Sequence, residues 1–134
     1  EDETNENDNT VIADSNKYEF QTEITMIHRY VGGDFQYGEI WKYNLELIDN
    51  KISKISLKDE KDTDLVKFSK PRFKLLKDNK FSIRSRITII DSPADSVRFD
   101  FKGKFQDNNI IGETEITYTG SDASGTVLIK AQTK

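Results

Sequence analysis

Cysteine is absent from the chain. That excludes disulfides and thiolate metal sites and leaves the compartment open. There is one histidine, His28, so His-x-His metal motifs are excluded and a histidine base has a single candidate. No G-x-S-x-G elbow is present to pair with it. Prolines number two, Pro71 and Pro93. No apolar run approaches the ~20 residues of a membrane helix, and none matches the continuous runs of a parallel sheet buried on both faces. Helical periodicity is missing throughout. What is there is polar overall, 34% hydrophobic against 33% charged, but eight Phe, five Tyr and one Trp supply bulky core material. This suits a sheet with one wet and one dry face. The net charge of −4 argues against nucleic-acid binding. Its distribution is uneven: residues 1–66 hold 7 basic and 16 acidic residues, and residues 67–134 hold 13 basic and 8 acidic.

Residues 97–118 carry the clearest structural signal, V-R-F-D-F-K-G-K-F, then Q-D-N-N, then I-I-G-E-T-E-I-T-Y. Apolar and polar residues alternate on both arms around turn formers, which predicts a β-hairpin. A four-residue link pairs Phe105 with Ile110, Phe99 with Ile116 and Val97 with Tyr118. It sets Gly103 opposite Gly112 and Lys102 opposite Glu113, so apolar groups share one face and charges the other. The same alternation predicts a strand over residues 17–30, with Tyr18, Phe20, Ile24, Met26 and Tyr30 on one face and Ile27 out of phase. Val31-Gly32-Gly33-Asp34 is a turn. A second strand carries Phe35, Tyr37, Trp41, Tyr43, Leu45 and Leu47, and K-I-S-K-I-S-L-K over 51–58 is a third. Pro71 splits residues 65–76 into two short edge-like strands. Phe81, Ile83, Ile87 and Ile89 mark the next strand, turned by Ser92-Pro93-Ala94 so that Ile89 faces Val97 and Ile87 faces Phe99. A Gly-rich loop at 120–125 leads to a last strand with Val127, Ile129 and Ala131 inward. Eight or nine strands joined by short links must close or leave edges open. The expected fold is all-β, a single antiparallel up-and-down barrel over residues 17–134, with a two-sheet sandwich as runner-up. Residues 1–16 are acidic and Asn-rich and read as a disordered head. The sequence opens on Glu1 rather than Met, the mark of a processed or trimmed chain, and such a head suits the tether of a bacterial lipoprotein or a frayed terminus.

F-K-G-K-F…I-I-G-E-T, the Gly-rich turn and a last strand opening Gly125-Thr126 resemble the closing strands of small bacterial lipocalin-like, or calycin-type, barrels. The likeness covers the final third of the chain. Gly38-Glu39-Ile40-Trp41 does not reproduce the G-x-W of true lipocalins. The resemblance implies a barrel able to hold a small apolar ligand and transfers no functional residue.

Two groups of residues are candidate sites. A hairpin about Gly32-Gly33 pairs Tyr30 with Phe35, His28 with Tyr37, Met26 with Glu39 and Ile24 with Trp41. That gathers Tyr30, Tyr37, Trp41, Tyr43, His28 and Glu39 on one aromatic face with sparse polar groups, the composition of a small-ligand site and equally of a filled barrel core. The second group lies in the basic stretch 67–86. Arg84 is expected opposite Lys102 and Arg86 opposite Asp100, which makes Lys80, Arg84, Arg86 and Lys102 an anion-binding candidate or a solvated face that resists edge association. Asp59, Glu60, Asp62 and Asp64 are interrupted by lysine and lack the spacing of a calcium loop, so no metal and no cofactor is expected. The functional expectation is a monomeric, non-enzymatic, extracytoplasmic binding module, cell-surface or secreted. Its partner would be a small apolar ligand, an anionic surface polymer or a lipid headgroup. The alternatives are a cyclase- or isomerase-type barrel enzyme using His28 and Glu39 with a tyrosine, and an interaction domain with a filled core.

Overall fold

Two Asp-Asn pairs set the hairpins. Asp49 and Asn50 have φ of 53° and 61°, and Asp107 and Asn108 have 52° and 67°. Both pairs adopt the left-handed turn whose twist matches that of the flanking strands. The computed structural model describes residues 15–28, 35–90, 97–119 and 126–134. It contains strands β1 (Ser15–His28), β2 (Ile40–Ile48), β3 (Lys51–Lys58), β4 (Val66–Leu75), β5 (Lys80–Ile89), β6 (Val97–Gln106), β7 (Asn109–Thr119) and β8 (Thr126–Thr133). They form one antiparallel sheet in the order β3-β2-β1-β8-β7-β6-β5-β4, nearly closed into an up-and-down barrel. The seam lies between β3 and β4. It is tied at one end by the Lys58–Asp64 bridge and by Leu65 N–H donating to the Leu57 carbonyl at 2.9 Å. One continuous sheet replaces the sandwich alternative. No helix among the described residues is long and apolar enough to cross a membrane. Residues 1–14 of the expected head, the turn at 31–34, Ser92-Pro93-Ala94 and the loop 120–125 lie outside the described residues. Ser15 and Asn16, read as part of the head, belong to β1.

The β6–β7 register matches the expectation at Phe105–Ile110, Gly103–Gly112, Lys102–Glu113, Phe99–Ile116 and Val97–Tyr118. The link is shorter than expected, since Gln106 also pairs with Asn109. Two other hairpins, β1–β2 and β5–β6, are each displaced by two residues. In β1–β2, Trp41 faces Thr22, not Ile24. In β5–β6, Phe81 faces Gly103 and Arg84 faces Asp100. Each displacement puts a large inward ring opposite a small inward residue, where interior volume is conserved. Because the displacement is even, it does not by itself move any side chain to the other face.

Three bulges explain the remaining departures. β1 pairs with β2 over its first part and with β8 over its last, with a register break between Ile24 and Met26. The extra residue turns Ile27 inward against the core and leaves Met26 and His28 exposed. β4 is one strand rather than two: Pro71 sits in a bulge between Ser69 and Arg72, beside Lys70 at φ 53°. A proline there, on a strand flanking the seam, removes no ladder donor that the sheet needs. A third break, between Glu46 and Leu47 on β2, lets both Ile52 and Ile55 of β3 pack against the core.

The interior is filled by rings. Phe81 stacks on Phe105 with centroids 4.5 Å apart, and Phe20 meets Tyr43 edge-on at 4.8 Å. Phe68 meets Phe99 edge-on at 5.0 Å. Gly103 and Gly112 open no space. A Cβ on Gly103 would lie 2.5 Å from Phe101 Cε2 and 2.7 Å from Phe81 Cζ. Thr114 is fully buried, and its hydroxyl is hydrogen-bonded to that of Tyr43. Burial pushes the Tyr43 hydroxyl pKa well above its ordinary value, against a smaller lowering by the Thr114 bond.

Candidate functional site

Of the six residues expected to form an interior site, the five among the described residues do not line one common cavity. Trp41 and Tyr43 are buried in the core. Trp41 meets Phe35 edge-on at 5.3 Å. Glu39 is half-buried, and its carboxylate accepts hydrogen bonds from the Trp41 indole N–H and the Gln36 N–H, each at 3.2 Å. It therefore holds Trp41 in place from the rim. Tyr37 is 75% exposed in the turn before β2, and His28 is exposed near the far end of β1. Tyr30 lies outside the described residues. The reason is structural. The bulge in β1 rotates His28 off the inner face, and the displaced β1–β2 register separates it from Tyr37. Between Phe20, Tyr43, Leu45, Ile55, Ile83, Phe99 and Phe101 an interior void measures only about 10 Å³. A cavity needs roughly 10–15 Å³ by this measure to hold a single water.

Volume lies instead on the outside. A groove of about 770 Å³ runs over the outer face of β4, β5, β6 and β7. Its basic lining is Lys70 and Arg72 from β4, Arg84 and Arg86 from β5, and Arg98 and Lys102 from β6. Asp100, Glu113 and Glu115 line the β6–β7 side. Three of the four residues expected to bind anions, Arg84, Arg86 and Lys102, thus share the groove. Lys80 does not line it; it lies at the start of β5 opposite Lys104. Arg98 was not legible as a member, because the expected register placed Arg86 against Asp100. In the structure Arg86 faces Arg98, and Arg72 faces Arg84.

The bulge shapes this face. Lys70 and Pro71 together oppose Ser85, which breaks the β4–β5 ladder. The Ser85 hydroxyl lies 3.1 Å from the Ser69 carbonyl and 2.7 Å from that of Arg86, and donates its one hydrogen there. A small polar residue in the otherwise apolar series Phe81, Ile83, Ile87, Ile89 was the available sign of this bulge. The carboxylates of the groove are largely engaged. Asp100 accepts from Arg84 Nε at 3.1 Å, and Glu115 pairs with Lys130 at 3.5 Å. Among the described residues, Lys70, Arg72, Arg86, Arg98 and Lys102 have no carboxylate within 4 Å.

No family model, curated protein or solved structure matches the chain.

The acidic loop before β4 is occupied with its own folding. Asp59 Oδ1 accepts from the Lys61 and Thr63 N–H groups at 2.8 and 2.9 Å. Asp62 pairs with Lys42 at 2.8 Å, and that hydrogen bond and charge hold its carboxyl below the ordinary range. Among the described residues no three His, Asp or Glu side chains are placed to share a metal ion.

Proposed function

We propose that this chain is a non-enzymatic binding module whose partner engages the outside of the barrel over β4 to β7. The observation that carries the reading is the contrast between a ring-filled interior with a void of about 10 Å³ and an outer groove of about 770 Å³. A drug-sized ligand needs roughly 300 Å³ or more, so the interior void found among the described residues is too small for the small apolar guest that a lipocalin-like barrel suggests. The calycin-type resemblance supports the scaffold in this reading, not its use as a carrier. Chemistry through His28 and Glu39 is disfavoured because the Glu39 carboxylate is engaged with Trp41 and Gln36 while His28 is exposed on β1. An acidic molecule with a basic concavity suits an extracytoplasmic binder of anionic surface material.

Titration with a panel of apolar probes, from a short fatty acid to a polycyclic aromatic, tests the reading. Trp41 is the only tryptophan and lies in the core, so its fluorescence reports on entry. The expected result is no change in its emission and no rise in Tm. A saturable change together with stabilisation by mass action would move the function to the interior.

A further inference from the structure

The groove pairs like charges where a sheet gains nothing from them. Arg86 of β5 directly faces Arg98 of β6, and Arg72 of β4 directly faces Arg84. Like charges in directly opposed cross-strand positions destabilise a sheet. Protection of an exposed edge cannot explain the first pair, because β5 and β6 are interior strands, flanked by β4 and β7. Arg84 is relieved by Asp100 at 3.1 Å, whereas Arg86, Arg98 and Arg72 meet no carboxylate among the described residues. Exposed guanidinium groups set side by side in this way can each offer a bidentate fork to an oxyanion.

The register also gives the site a repeat. Arg86 and Arg98 form one cross-strand row, Arg72 and Arg84 the next, and Lys102 stands in the row after that, opposite Ser82. Successive rows on one face are two residues apart, about 6.7 Å along the strands, and neighbouring strands are about 4.8 Å apart. Asp100 stands inside the strip and is paired with Arg84, while Glu113 and Glu115 of β7 bound the strip laterally, so its width suits one extended chain. No apolar side chain lines the groove, and a concavity of this kind does not fit the flat, partly apolar surface of a bilayer.

Resting on the reading that the outer face is the working surface, we propose that this groove binds a single linear polyanionic glycan. Sulfate or phosphate groups recurring every several ångströms would sit on the Arg86–Arg98 row and on Arg72 with Lys70. The net charge of −4 repels polyanions elsewhere on the molecule and confines the attraction to the groove.

Arginine Nε–H NMR signals of the full chain, followed at low salt, test the proposal. The probes are a heparin-derived oligosaccharide, a short phosphodiester-linked glycan, a DNA duplex and vesicles containing phosphatidylglycerol. The Arg86 and Arg98 signals are expected to shift with one or both glycans. Affinity should fall about tenfold between about 50 and about 200 mM salt. R86Q/R98Q should weaken binding at least tenfold, whereas the charge-matched K51Q/K54Q on β3 should not. R98E, which gives Arg86 an opposite charge across the strands, should abolish binding while keeping or raising Tm. The proposal is overturned by silence of both glycans at low salt, by equal weakening in the two double variants, or by shifts only with vesicles or DNA. If Trp41 also stays silent to apolar probes in those cases, the outer-surface reading survives and only the glycan assignment falls.

Discussion

Gly112 faces Gly103 across the β6–β7 ladder, and the two positions would respond differently to the same added methyl. The three atoms nearest a Cβ on Gly103 all belong to rings, Phe101 Cε2 at 2.5 Å and Phe81 at 2.7 and 3.0 Å. On Gly112 it would run into the Lys102 carbonyl oxygen, the Gly103 Cα at 2.7 Å and Phe101 Cζ at 2.9 Å. Rings can tilt by a few tenths of an ångström, but a carbonyl in a paired strand moves only with the strand. Overpacking costs typically about 1–3 kcal/mol. Replacing glycine by alanine in an extended strand returns roughly 0.5–1 kcal/mol of unfolded-chain entropy. Gly103→Ala should therefore lose about 1 kcal/mol. Gly112→Ala should lose about 2 kcal/mol, a fall in Tm of about 7 °C. Urea melts with unchanged m-values would measure both. Phe81→Leu added to Gly103→Ala should recover part of the loss, while Phe101→Leu added to Gly112→Ala should not. Equal costs at the two glycines, or a neutral Gly112→Ala, would refute the β6–β7 packing described above.

Three further outcomes follow from the interior. Thr22 is fully buried opposite Trp41, and its hydroxyl has no hydrogen-bond partner. Thr22→Val should therefore raise stability by about 1 kcal/mol, and a loss of that size would mean the hydroxyl is satisfied in solution. Tyr43→Phe or Thr114→Val alone strands one partner of a buried pair and should cost about 1–3 kcal/mol. The double variant should cost less than the sum, since both polar groups are then gone; strict additivity in the cycle would deny the bond. The raised pKa of Tyr43 has an alkaline consequence. Below pH 10 folded and unfolded chains both keep the proton. Above it the unfolded chain releases a proton that the folded state retains, so stability should fall by about 1.4 kcal/mol per pH unit. Tyrosinate absorbance should show one group titrating only with unfolding, and Tyr43→Phe should remove that step.

The breaks in alternation were more informative than the alternation itself. Ile24 to Ile27 and Ile52 to Ile55 are spaced by three, and Phe68 to Phe73 by five, where a regular strand demands even steps. Each odd step falls on a bulge. Reading Ile27 as an exception, and Pro71 as a divider between two strands, left both bulges unrecognised. The two displaced registers had a different cause. Alternation repeats every two residues, so a slip of two keeps each face intact and leaves no trace in the pattern. Only the fit of Trp41 over Thr22, and of Phe81 over Gly103, chooses between such registers. These are contacts of volume, invisible to a polar–apolar string.

That difference divides what the chain alone determined from what its tertiary structure decided. Local chemistry was enough for the all-β class, for most of the inward faces and for the β6–β7 register, but it split β4 in two and turned Met26, His28 and Tyr37 inward. Turn residues and side-chain alternation act within one hairpin and need no distant partner. The pairing of β1 with β8, the filling of the interior and the groove over β4 to β7 depended on contacts distant in sequence. Whether Gly103, Gly112 and Thr114 leave a pocket depends on where Phe81, Phe101 and Tyr43 point. Whether Arg86 meets Asp100 or Arg98 depends on a register chosen by rings on the opposite face of the sheet. The charged groove was therefore only partly legible: its residues stand in the sequence, but the core packing beneath them decides which become neighbours.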